Sequence, residues 1–208
     1  VSLFEKQVIK TPNEVAVIFE SNTLTYKELN DTVNQFANHL TSQYNITAGD
    51  FVAVKLERTE NLIITLLAIL KTGASYVPVD VNYPEERIKY IENHSKSHLV
   101  ITAKEVELFY KNQHSYSTKN IEVHINETDI AYIIYTSGTT GKPKGVIITH
   151  ANATALIFWA SKEFDASKFD VVYAATSHCF DLSVFEMFYT LAVGKKVKIL
   201  ANALAIES

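Results

Sequence analysis

Eleven residues, Tyr135 to Gly145 (Y-T-S-G-T-T-G-K-P-K-G), hold four serine and threonine hydroxyls, three glycines and two lysines. That mixture suits a polyanion. Glycine lets the backbone come close to a ligand and reach φ > 0. Free N–H groups and hydroxyls donate to phosphate oxygens, and lysines add mobile positive charge. The stretch reads as a nucleotide phosphate loop. It is not a Walker A loop, which needs four residues between its glycines and Ser or Thr straight after the lysine. Here two residues separate Gly138 from Gly141, and Lys142 is followed by Pro143, which also stops a helix from running through the lysine. A Rossmann G-x-G-x-x-G is absent too. Ile130–Tyr135 and Val146–Thr149 are β-like, so the loop joins two strands and no helix N-terminus stands behind it. A plain hairpin rich in Thr and Gly is the competing reading; the two lysines and four hydroxyls weigh against it.

A second candidate is Asp181, set among Cys179, Phe180, Leu182, Val184 and Phe185. A carboxylate buried in such company needs a cationic or hydrogen-bonding partner. It directly precedes a predicted helix, and from position alone it reads as that helix's N-cap. Leu182 and Phe185 lie three apart on the same helix and can face one cavity, although ordinary core packing explains them equally well. His94 and His98 are four apart with nothing nearby to complete a metal site, and are expected as surface helix residues. His150 follows a strand and is expected to be structural.

The elements that must position these residues alternate. Thr25–Tyr44 is an amphipathic helix opened by a Thr25/Glu28 capping box, with Leu29, Val33, Phe36, Ala37 and Leu40 on one face. Gly49-Asp50 turns into a β run at Phe51–Leu56. A helix from Glu60 to Thr72 ends at Gly73. Tyr76–Val79 is a short buried strand. Pro84 takes the first position of a helix carrying Glu85 and Glu86 in its first turn. Leu99–Thr102 is another strand. Lys111–Asp129 is polar and aperiodic, and is expected to be a long loop. After the phosphate loop come a helix over Asn152–Lys162, a strand over Val171–Ala175, a helix over Leu182–Leu191 ending near Gly194, and a strand over Lys196–Leu200. Strands alternating with helices predict an α/β fold with largely parallel sheets flanked by helices.

The whole chain sets broad limits. Its 208 residues, 47% hydrophobic, suffice for a sizeable core. A net charge of −4 gives no reason to expect nucleic acid or an anionic membrane. The lone cysteine, Cys179, excludes an internal disulfide and suits a reducing cytosol. The charged N-terminal residues do not form a signal peptide. The longest apolar run, Leu62–Leu70, is far short of the roughly 20 residues of a membrane span and reads as a buried helix.

The motif Y-T-S-G-T-T-G-K-P-K-G-V closely resembles the signature loop of the adenylate-forming, AMP-binding superfamily. L-T-Y-K-E-L-N at Leu24–Asn30, L-K-T-G-A-S-Y-V-P-V-D at Leu70–Asp80 and F-D-L-S-V-F-E-M-F at Phe180–Phe188 resemble core motifs of nonribosomal peptide synthetase adenylation domains. The resemblance implies that the loop holds the phosphates of Mg-ATP while an amino acid carboxylate attacks the α-phosphorus. The aminoacyl group then passes to a phosphopantetheine thiol on a carrier protein domain. It places Thr136, Ser137, Gly138, Thr139, Thr140, Gly141, Lys142, Lys144 and Gly145 around ATP. Asp181 would pair with the substrate ammonium, Phe180 would border the reacting carboxylate, and Leu182 and Phe185 would line the side-chain pocket. An apolar Leu and a bulky Phe then point to a small uncharged amino acid such as alanine.

No residue here matches the family's catalytic lysine, its ribose-binding aspartate or its hinge, which are expected downstream. Residues 1–208 thus resemble the N-terminal portion of the large subdomain, expected to be inactive alone and to work beside neighbouring synthetase modules. Two rivals stand: an acyl- or aryl-acid CoA ligase of the same superfamily, which would have no ammonium for Asp181, and a non-catalytic binding module that keeps the loop.

Overall fold

The computed structural model describes residues 1–137 and 142–200. Two sheets and their helices are built in chain order from α1 (Ser2–Lys10), β1 (Val15–Phe19), β2 (Asn22–Thr25), α2 (Tyr26–Tyr44), β3 (Phe51–Val54), α3 (Glu60–Lys71), β4 (Ser75–Pro78), α4 (Glu85–Ser95), β5 (Leu99–Ile101), α5 (Ala103–Asn112), β6 (Ile130–Thr136), β7 (Lys144–Thr149), α6 (His150–Glu163) and β8 (Val171–Ala174). A composite helix follows: α7 (Leu182–Val184), a π-helical segment (Phe185–Tyr189) and α8 (Thr190–Ala192), before β9 (Lys196–Ile199).

The larger sheet has the order β5-β3-β4-β6-β7, parallel throughout except for the antiparallel β6–β7 hairpin. The smaller has the order β2-β1-β9-β8, with only β1–β2 antiparallel. Mostly parallel sheets flanked by helices are what the alternation of elements predicts. The apolar run of α3 explains how the sheets meet. All residues from Leu62 to Lys71 are buried, because α3 packs on α2, on β3 and β4 of the larger sheet and on β1 of the smaller. A helix apolar on every side belongs in an interior, not on a surface.

Local chemistry sets the boundaries. Glu28 accepts from the Thr25 backbone N–H at 2.8 Å, while Thr25 Oγ1 accepts from the Glu28 N–H at 3.2 Å, the reciprocal box that opens α2. Thr102 and Glu105 build the same box at the start of α5. Gly73, at φ 78°, turns the chain out of α3 into β4.

The structure departs from the sequence reading in several places. Pro84 is the N-cap of α4, not its first helical residue. The helix expected from Asn152 begins at His150, capped by Thr149. The polar stretch from Lys111 first completes α5 and a 3-10 turn at Gln113–Ser115, and residues 116–129 then form no helix or strand. Those residues are strapped to α2, where Asn34 donates to the Thr118 carbonyl at 2.7 Å and Gln35 to the Tyr116 carbonyl at 3.3 Å. A strap held by polar side chains needs no apolar period. His98 lies beyond the end of α4, where Lys96 is the C-cap.

Candidate nucleotide and acid site

The phosphate loop is the turn of the β6–β7 hairpin. Tyr135 pairs with Gly145 and Thr136 with Lys144, so the β6–β7 pairing ends at Thr136 and Lys144, the two residues that flank the loop. The interior of β6 is buried from Ala131 to Tyr135, and exposure begins at Thr136, continuing at Ser137, Lys142 and Lys144. Gly138, Thr139, Thr140 and Gly141 lie outside the described residues. The hairpin base is fixed by packing. A Cβ at Gly145 would stand 2.8 Å from Ile133 Cγ2 and 3.3 Å from Tyr135 Cζ, so the tyrosine ring occupies the space any side chain would need. The Tyr135 hydroxyl lies 2.8 Å from His94 Nδ1 on α4, and burial raises the tyrosine's pKa. His94 is exposed on α4, as expected, and it also tethers the strand that feeds the loop.

Parallel strands align their carboxyl ends, and β4 runs parallel to β6. The chain leaving β4 at Val79–Asp80 thus emerges at the same end as the loop, where open α/β sheets gather their ligands. The segment that follows β8 is pinned there. Arg58, between β3 and α3, donates to the carbonyl of Ala175 at 2.8 Å and to that of Ala174. Ser177 donates to the Asp80 carboxylate at 3.2 Å. Glu186 accepts from the Thr176 N–H at 3.1 Å and from its hydroxyl at 2.7 Å. His178 and Cys179 are buried beneath. Desolvation lowers the His178 pKa and pushes the Cys179 thiol up to about 11, leaving the one cysteine a poor nucleophile.

Asp181 differs from expectation on two counts. It is exposed, and its side chain makes no capping bond although it precedes α7. Its neighbours fail to bury it because Phe180 and Leu182 are themselves 59% and 54% exposed. The cap does not form because Asp181 has helical backbone angles, φ −61° and ψ −30°. A capping side chain reaches N2 or N3 from β-region angles. The turn is instead closed by Ser183, which donates through both its N–H and its hydroxyl to the Phe180 carbonyl, at 3.1 and 2.6 Å. Among the described residues the Asp181 carboxylate thus has no hydrogen-bond partner, on a turn closed by Ser183. Its charge reaches Tyr132 of β6, adding to the burial that pushes that phenol up to about 12.

Phe185 packs on Phe164 and Tyr189, with ring centroids 5.3 and 4.9 Å apart, while Leu182 faces outward. Two cavities, of about 570 and 740 Å3, are lined by neither Asp181 nor any described residue of the loop. Among the described residues no group of three His, Cys, Asp or Glu side chains could hold a metal. Sequence reading missed Arg58, Asp80, Thr176, Ser177 and Glu186. Their partners lie up to 117 positions away, but a glutamate inside the apolar F-D-L-S-V-F-E-M-F was a visible signal.

A model of the AMP-binding enzyme family matches residues 4–206. The chain belongs to that family, whose members are adenylate-forming ligases. It is 39% identical to zwittermicin A synthase ZmaJ of Bacillus cereus, over 96% of its own length and 40% of that protein's. With gramicidin S synthase 1 of Brevibacillus brevis the identity is 37%, over 95% and 19%. With tyrocidine synthase 1 of Brevibacillus parabrevis it is 36%, over 96% and 20%. The chain thus spans less than half the length of these relatives.

Among solved structures it superposes on a nonribosomal peptide synthetase, FmoA3, with a TM-score of 0.86 at 26% identity, covering 95% of this chain and 22% of that one. FmoA3 also has a form with AMPPNP bound. The N-terminal subdomain of Klebsiella oxytoca NpsA, in complex with 3-hydroxyanthranilyl-AMSN, gives 0.83 at 27% identity, covering 96% and 52%. The fold is that of the N-terminal subdomain of these adenylation domains. Among the described residues no helix is long and apolar enough to cross a membrane.

Proposed function

We propose that residues 1–208 are the N-terminal part of an adenylation domain that activates an amino acid with ATP, for transfer to a carrier-protein phosphopantetheine thiol within a synthetase. The observation that carries this reading is the Asp181 carboxylate: exposed, uncapped, and held on a segment pinned at the loop's end of the larger sheet. A carboxylate without a partner among the described residues, at this end of the sheet, suits an α-ammonium.

In this reading the exposed hydroxyls of Thr136 and Ser137 and the ammonium groups of Lys142 and Lys144 surround the β- and γ-phosphates, with Gly138, Thr139, Thr140, Gly141 and Gly145 completing the loop. One oxygen of the acid attacks the α-phosphorus. A new O–P bond forms, the bond to the bridging oxygen breaks, and pyrophosphate leaves with its charge spread over the loop. Catalysis of this type rests on positioning and charge neutralisation. Mg2+ arriving with ATP supplies further neutralisation. Phe180 borders the reacting carboxylate, and Leu182 and Phe185 flank the side chain of a small uncharged amino acid.

A second reading has a specific observation in its favour: NpsA carries an aryl-acyl ligand. ATP–pyrophosphate exchange, measured on the adenylation domain bearing this segment, separates the two. A panel of amino, fatty and aryl acids is expected to give exchange with an α-amino acid. Exchange with aryl or fatty acids alone would overturn the reading, and silence with every acid would favour a binding module.

A further inference from the structure

We infer that Glu186 is a positioning residue for the acid site, acting with Arg58 to hold the segment that presents Asp181; the inference rests on the reading above. Six of the nine residues in F-D-L-S-V-F-E-M-F are apolar, and Glu186 is 8% exposed within it. A carboxylate so buried is costly unless bonded. Its bonds all go ten residues back, to the N–H and hydroxyl of Thr176. They close a ring, 176–186, whose outer edge is Phe180 and Asp181.

Glu186 sits in the π-helical segment, a local widening found disproportionately where function aims a side chain. Arg58 fastens the preceding two carbonyls. A water-sized cavity lies between these polar side chains, with His178 and Ser183, and apolar ones such as Leu62, Ile63 and Met187, and both ring nitrogens of His178 are buried without a partner among the described residues. The ring is thus closed from inside by the Glu186–Thr176 bonds while Asp181 stands exposed outside it. An apolar residue at 186 could fill the same space but would leave the Thr176 N–H and hydroxyl without their acceptor. What the glutamate adds is a fixed distance between the π segment and the start of the acid-binding turn.

The test uses the adenylation domain bearing this segment and the acid that the unaltered protein accepts. Glu186→Ala is expected to raise KM for that acid about tenfold or more, the loss of charge-assisted hydrogen bonds, with KM for ATP nearly unchanged. Glu186→Gln keeps an acceptor for the Thr176 N–H and a donor for its hydroxyl, so it should recover much of the loss. Equal rises in both KM values, no rise in either, or a Gln variant as impaired as Ala would overturn the proposal. Amide hydrogen exchange gives a reading independent of turnover. Faster exchange confined to 176–181 in Glu186→Ala, reversed in Glu186→Gln, supports the positioning role, and unchanged exchange there refutes it. If the accepted acid is an aryl acid, the assignment of Asp181 falls, while the acid-KM shift still decides the role of Glu186.

Discussion

At the scale of single residues, a carboxylate that does not cap its helix makes stability and activity separable. Were Asp181 an N-cap, Asp181→Ala would cost about 1 kcal/mol of stability. The cap bond is absent, so the melting temperature should hardly move. Losing one member of a bound charge pair, by contrast, costs roughly 2–5 kcal/mol, so amino-acid-dependent exchange should fall by at least about 30-fold. A fall in melting temperature with exchange intact would reverse the assignment. Lys142 and Lys144 are exposed on the hairpin, and Lys142→Ala should raise KM for ATP while leaving the order of preference among acids unchanged. If only acid preference moved, the phosphate-loop assignment would fail. The sequence made Asp181 and the loop visible through residue types and spacing. It misjudged the aspartate's burial because adjacency to Phe180 and Leu182 says nothing about where those side chains point. Glu186 stood out in its apolar run, but its partner Thr176, and the role of Arg58, appear only once β3, β8 and the π segment meet.

At the scale of elements, helices with an apolar period or a capping box were legible, and so was the alternation that yields two mostly parallel sheets. The π segment was not, because i→i+5 bonding over five residues leaves the same apolar pattern as an α-helix. Nor was the 116–129 strap, whose order comes from Asn34 and Gln35 on α2 and not from its own period. Turns proved easier to read, and Gly73 shows why. It has φ 78°, and a Cβ there would lie 2.9 Å from Ala48 Cβ and 3.0 Å from Val123 Cγ1. Conformation and contact both oppose a side chain. Gly73→Ala should cost at least about 1–2 kcal/mol from the backbone alone, read as a lower urea midpoint with an unchanged slope. Gly49, also at positive φ but with open space around it, offers a control in which only the backbone penalty applies.

At the scale of the whole molecule, buried polar groups tie the layers together and make stability depend on protonation. Lys71, 3% exposed at the end of α3, donates to Glu5 of α1 at 2.6 Å, to Asn30 of α2 at 2.9 Å and to Asn120 of the strap at 3.1 Å. Removing one partner of a buried pair leaves the other uncompensated, so Lys71→Ala should cost about 3 kcal/mol in chemical denaturation, the lower end of the range because Glu5 keeps some water. Acid sensitivity comes from a different set of groups. His39 is fully buried inside a ring of Phe36, Tyr44, Phe109 and Tyr116, with Nδ1 2.9 Å from the Tyr116 hydroxyl and Nε2 without a partner among the described residues. Burial lowers its pKa and those of His150 and His178. The unfolded chain, with histidines near 6.5, then binds more protons than the folded one at pH values below that. Stability is therefore full above about pH 6.5 and is lost as pH falls through the lowered folded values. Each histidine removes up to about 1.4 kcal/mol per pH unit across its own window. The capping carboxylates Glu28 and Glu105, whose pKa values are lowered, begin to contribute only below about 4.3. Between pH 7 and 5 the melting temperature should thus drop by several degrees, and His39→Phe, compared with itself across the same range, should show a shallower drop. A flat profile in the unaltered protein would mean that the buried imidazoles take up protons without cost, and that the three sites are more open to water than their packing shows.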